Sequence, residues 1–77
     1  MSNVRTVIMG KDWNGLTPLE REILAYIADG RRPVEIAEYI GSSRPTVDNR
    51  VMEMKNKLGA NTTAGMVARA FRLGILK

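Results

Sequence analysis

The stretch from Glu35 to Arg50, EIAEYIGSSRPTVDNR, limits the possible folds more than any other part of this chain. Ala37 stands four residues before Gly41, and Val47 follows six residues after that glycine. A small residue lets two helices cross closely, and glycine takes the tight turn between them. A branched apolar residue then anchors the second helix. This is the spacing of a helix-turn-helix, a unit whose second helix enters the DNA major groove. No other segment carries a comparable pattern for different chemistry.

Composition removes most alternatives. The chain of 77 residues supports one domain with one small core. It has no cysteine for a disulfide framework or thiolate zinc site, and no histidine to serve as general base or metal ligand. Glu20, Glu22, Glu35 and Glu38 lack an accompanying nucleophile, metal-ligand set or glycine-rich phosphate loop. Glu20 fits better as a capping residue, and the other three as helix surface. No enzymatic activity, cofactor, metal or small-molecule ligand is therefore expected. The apolar runs are too short for a membrane span or a secretory signal, so a soluble cytoplasmic domain is expected. Twelve Lys and Arg against eight Asp and Glu give a net charge of +4. That charge suits a polyanionic partner, but it also suits a domain that is merely basic.

Local signals predict an all-α, four-helix domain over residues 16–77 with the helix-turn-helix at its centre. A short extended N-terminal arm covers residues 1–15. In the arm, Val4, Thr6 and Ile8 alternate with Arg5, Val7 and Met9 before the turn Lys11–Gly15. It either lays Val7, Ile8 and Trp13 over the core or reaches a DNA minor groove. The first helix has Thr17 as cap, Pro18 at its first position, Glu20 completing a capping box and Gly30 as its stop. Its apolar stripe is Leu16, Leu19, Ile23, Leu24, Ile27 and Ala28. Pro33 opens a short second helix with Ile36, Ala37 and Ile40 inward, and Gly41 ends it. Ser43 caps the third helix, where Val47, Val51, Met54 and Leu58 form a buried seam before Gly59. The fourth follows Asn61-Thr62-Thr63 and ends near Leu73-Gly74, with Val67, Ala70 and Phe71 as its inner face.

Beyond the helix-turn-helix, LTPLEREIL (Leu16–Leu24), DG (Asp29-Gly30), EIA (Glu35–Ala37), TV (Thr46-Val47), KLGA (Lys57–Ala60) and RLGIL (Arg72–Leu76) fall in the order and spacing of one family. They resemble the DNA-binding domain of LuxR-type regulators over about Leu16 to Leu76. The length is similar to that of small, stand-alone GerE-like members without a sensor domain, whose control would come from protein level or a partner. The resemblance implies a bacterial or phage-encoded transcriptional regulator acting at the nucleoid on double-stranded DNA. It implies a homodimer through the fourth helix on an inverted-repeat operator, with helix 44–58 in the major groove. Such a protein activates through RNA polymerase or represses by occupancy. Three positions depart from the family pattern. Asp48 replaces a usual basic residue, and Arg50 a usual histidine. Thr63 and Ala64 replace an arginine and the cap that follows it. An alternative reading keeps the scaffold as a protein-interaction module for RNA polymerase, a sigma factor or another regulator.

The candidate DNA contacts are Arg44, Thr46, Asp48, Asn49, Arg50, Lys55 and Lys57 on the third helix, with Arg31 and Arg32 before the second. Asn49 matches adenine, and Arg44 or Arg50 matches guanine or phosphate. Asp48 either repels phosphate or accepts a hydrogen bond from cytosine N4. Thr46 suits a phosphate at the helix start or a second cap beside Ser43. Lys57 suits DNA or an ion pair with Glu53. Each of these side chains is otherwise simply a solvated polar group. Ala64, Gly65, Ala68 and Arg72 form the candidate dimer seam, or are simply exposed.

Overall fold

The computed structural model describes residues 15–77. The expected arm, including Trp13, lies outside the described residues except for Gly15. Four helices follow one another: α1 (Pro18–Ala28), α2 (Pro33–Ile40), α3 (Arg44–Leu58) and α4 (Thr63–Arg72). The described residues are all-helical, as the sequence predicts.

Each helix begins where the chain supplies an acceptor for its unpaired amides. At α1, the Thr17 hydroxyl accepts the Glu20 N–H at 3.0 Å, and Glu20 Oε1 accepts the Thr17 N–H at 3.0 Å. Pro18 occupies the first turn, where a missing N–H costs nothing because that donor has no intrahelical partner. Pro33 plays the same part in α2, and Glu35 Oε1 accepts the Arg32 N–H at 2.9 Å. Gly41 then adopts φ +68°, which lets the Ser42 N–H reach back to the Ala37 carbonyl at 2.8 Å. A residue with a Cβ is strained in that conformation, so the tight turn of the helix-turn-helix depends on glycine. Ser43 caps α3 by accepting the Thr46 N–H. The fourth helix is capped by Thr62, whose hydroxyl accepts the Gly65 N–H at 2.9 Å. The cap that the family pattern puts at Ala64 therefore sits two residues earlier here.

The third helix touches each of the other three. Its Val47, Met54 and Leu58 meet Ile23 and Leu24 of α1, Ile36 and Ala37 of α2, and Met66 and Ala70 of α4 in one core. Three expectations about the inner faces need correction. Met66, not Phe71, is the large buried side chain of α4, and Phe71 is 49% exposed. After the turn at Gly74, Ile75 and Leu76 are buried and join the core. Ala25 is buried on α1 while Ala28, in its last turn, is exposed. Val51 is half-buried at the edge of the α3 seam.

Val47 has no exposed surface and sits where the helix-turn-helix closes. Val47→Asp would bury an unpaired carboxylate, and the expected loss of more than about 4 kcal/mol is enough to unfold so small a domain. Asp48→Ala, one residue away on the exposed side, should shift stability by less than about 0.5 kcal/mol. Thermal melts followed by far-UV circular dichroism distinguish the two. A cooperative, wild-type melt for Val47→Asp would show that the α3 register is wrong.

Candidate nucleic-acid interface

The charged side chains of α3 divide according to what holds them. Glu20 of α1 is the one fully buried charged residue among the described residues. Lys57 Nζ donates to Glu20 Oε1 at 2.7 Å and to the Gly15 carbonyl at 3.1 Å. Arg50 Nη1 lies 3.9 Å from Glu20 Oε2 and 3.6 Å from Glu53 Oε1. The pairing of Lys57 with Glu53 allowed by sequence spacing is not formed. The buried carboxylate draws Lys57 toward the start of α1, and Arg50 takes Glu53. Burial pushes the Glu20 carboxyl up, but the Lys57 hydrogen bond, the Thr17 N–H and the Lys57 charge outweigh it. The group is held below the usual carboxylate range.

The opposite side of α3 faces outward. Arg44, Pro45, Asp48, Asn49 and Met52 are exposed, and Lys55 is half-buried. Arg44 Nε and Asp48 Oδ2 stand 3.6 Å apart, one helical turn along the same face. The carboxylate that departs from the family pattern is thus opposed by a neighbouring cation. Thr46 serves the cap: its N–H donates to Ser43 Oγ at 3.3 Å, and the two hydroxyl oxygens are 3.0 Å apart. Ahead of α2, Arg31 and Arg32 are exposed. Arg31 pairs with Asp29 at 3.3 Å and lies 5.9 Å from the centre of the Tyr39 ring. These contacts leave its guanidinium at the surface.

On α4, Ala64, Ala68 and Arg72 are exposed along one side. Phe71 belongs to the same strip by helical spacing, an outward place that the apolar pattern of α4 alone does not give. Gly65 is half-buried, and an added Cβ would meet Thr62 Oγ1 at 3.1 Å. Its small size therefore serves the cap of its own helix.

The family described as bacterial regulatory proteins, luxR family, matches residues 14–70. The transcriptional regulatory protein MctR of Rhizobium johnstonii is 44% identical over 61 residues, covering 79% of this chain and 28% of that protein. The uncharacterized response regulatory protein YgeK of Escherichia coli is 37% identical over 62 residues, covering 80% of this chain and 42% of its own length. The quorum sensing-dependent transcriptional regulator RpaR of Rhodopseudomonas palustris is 36% identical over 64 residues, covering 83% of this chain and 26% of the relative. The chain thus spans less than half the length of each of these relatives. No solved structure matches it at the same level of significance.

The Glu20–Lys57 contact generates a pH-dependent expectation. A carboxyl held below its usual range adds stability that is complete above its unfolded value of about 4.3. That stability is lost as pH falls through the lower folded value. Lys57→Ala leaves the buried carboxylate without its nearest cation and should cost about 2–4 kcal/mol at pH 7. The difference from wild type should narrow as pH falls through the lowered folded value and Glu20 becomes protonated in both proteins. Urea unfolding followed from neutral pH down through the acid range measures it. A loss that stays constant throughout would assign the effect to the packing of the lysine stem, not to its charge.

Proposed function

The chain belongs to the luxR family of bacterial regulatory proteins, and from that membership we propose that it is a sequence-specific, double-stranded DNA-binding regulator of transcription. In this reading α3 lies in the major groove, and two copies meet through α4 on an inverted-repeat operator. The protein acts at the bacterial nucleoid, by contact with RNA polymerase or by occupying the operator. The observation that carries the reading is the outward face of α3, Arg44 to Lys55. The helix-turn-helix presents it while α1, α2 and α4 bury the other side. Among the described residues, no helix is long and apolar enough to cross a membrane.

The roles assigned to single residues follow from what holds each one. Asn49 is exposed and suited to adenine, and Arg44 and Lys55 are suited to phosphates. Arg44 and Asp48 are both more than half exposed, so exchanging that pair for a phosphate costs at most about 1 kcal/mol. Arg31 and Arg32 stand where this architecture crosses the backbone. The Thr46 hydroxyl, at the start of α3, suits a phosphate. Lys57 and Arg50 act mainly through the positive field they add, because carboxylates hold both. For the dimer, Ala68 and Phe71 together give α4 a partly apolar exposed strip flanked by Ala64 and Arg72. A second reading, a protein-interaction module on the same scaffold, draws on Asp48 and on the cations already engaged by carboxylates.

Selection of bound sites from a random duplex pool by the purified protein tests the proposal. Recovery of a shared inverted repeat, with half-sites about one helical turn apart, is the expected result. Recovery of no preferred sequence would give the lead to the protein-interaction reading. The dimer is tested separately with Ala68→Glu, which sets two carboxylates against each other across the two-fold axis. Binding to the full operator should weaken by at least about tenfold while binding to a half-site changes little. Equal weakening on both would exclude α4 as the seam.

A further inference from the structure

The centre of the outward face of α3 carries an apolar group that the roles above leave unused. Met52 is 59% exposed, the most exposed of the large apolar side chains among the described residues. It follows Asn49 by three positions, so the two share a face with Cβ atoms about 5–6 Å apart. The arginines of this face have other roles in the DNA-binding reading. Arg50 is held by Glu53 and Glu20, and Arg44, only loosely paired with Asp48 at the helix start, is assigned to a phosphate. Asn49 and Met52 are then the outward side chains at mid-helix that carry no charge.

The edges of the base pairs in the major groove offer one apolar feature, the C5 methyl group of thymine. An unbranched, polarizable methionine adapts its shape to such a methyl more readily than a branched side chain does. The amide of Asn49 matches N6 and N7 of adenine. Side chains three residues apart on a helix in the groove reach the same base pair or its neighbour.

Resting on the DNA-binding reading, we infer that Met52 reads a thymine methyl group. It lies in the same base pair as the adenine held by Asn49, or in the next one. The half-site is therefore centred on A·T pairs, and its specificity there comes from shape and methyl contact instead of an arginine–guanine pair.

The probe is the duplex selected by the wild-type protein, with each thymine replaced in turn by deoxyuridine in both half-sites. That change removes the methyl group and leaves every hydrogen-bonding group in place. At one symmetric pair of positions, wild-type affinity should fall about three- to fivefold per half-site. Met52→Ala should bind thymine and deoxyuridine duplexes equally at those positions. The substitution is exposed and keeps a good helix former, so its thermal melt should match wild type and exclude misfolding.

If the wild type prefers the selected duplex over a scrambled one but ignores every deoxyuridine, the methyl contact is overturned and DNA binding stands. If Met52→Ala keeps the deoxyuridine sensitivity, another residue reads the methyl and the assignment fails. If the wild type shows no preference for any duplex, the DNA-binding reading itself fails and takes this inference with it.

Discussion

A fully buried carboxylate must find hydrogen bonds and a counter-charge, and in this domain the meeting of α1 with α3 meets that requirement. Glu20 uses one oxygen both to complete its own helix cap and to accept from Lys57 at the far end of α3. Its other oxygen has no hydrogen-bond partner among the described residues, and Arg50 stands 3.9 Å away. A buried ion pair contributes little net stability against an apolar pair of the same shape, because desolvation offsets the attraction. What it does impose is position, since any slide of α3 along α1 would part the lysine from the carboxylate. Lys57 also holds the Gly15 carbonyl, so the entry to α1 is fixed by the same side chain.

That arrangement sorts the positive charge of α3 by how easily it can be moved. Lys57 cannot leave Glu20 without stranding a buried charge, at a cost of several kcal/mol. Arg44 and Asp48 are an exposed pair, and one turn of surface ion pairing is worth a few tenths of a kcal/mol. A phosphate competes easily with the second and hardly at all with the first. Asp48 therefore need not abolish attraction to a polyanion: the field of Arg44 and Lys55 remains, and only its local strength is reduced. The net charge of +4 is a property of the whole chain, and α3 exposes only part of it.

The helix boundaries were legible in the sequence because their causes are local. Thr17, Pro18 and Glu20 lie within one turn, and Gly41 ends α2 by its own backbone preference. The all-helical class follows from the same signals. Other features are settled at longer range. Ile75 and Leu76 are buried after the turn at Gly74, which no helical periodicity within α4 reveals. Met66 and Phe71 both fit an apolar face, and only that packing decides between them. The Thr62 cap was obscured by Asn61 and Thr63, adjacent residues that can also cap a helix. Lys57 and Glu20 are 37 residues apart, and the nearer Glu53 offered a pairing that local spacing permits but burial overrides. The surface status of Arg44, Asp48 and Asn49 was legible because they lie opposite the Val47–Met54–Leu58 seam.

Much of what ties the chain to its family is buried, and most of what sets it apart is exposed. Leu16, Glu20, Leu24, Ala37, Val47, Leu58 and Leu76 belong to the motifs that carry the resemblance, and all are buried. Of the positions that depart from the pattern, Asp48, Thr63 and Ala64 are exposed, and Arg50 is half-buried beside Glu20. A buried position answers to the side chains packed around it and loses stability when changed. An exposed one answers only to a partner outside the domain. A substitution such as Asp48 therefore leaves the scaffold intact and changes only what it can bind. In the proposed DNA-binding reading the outer face of α3 is the interface, and its preference has to be read from its own side chains: an amide, a thioether and a pair of opposed charges.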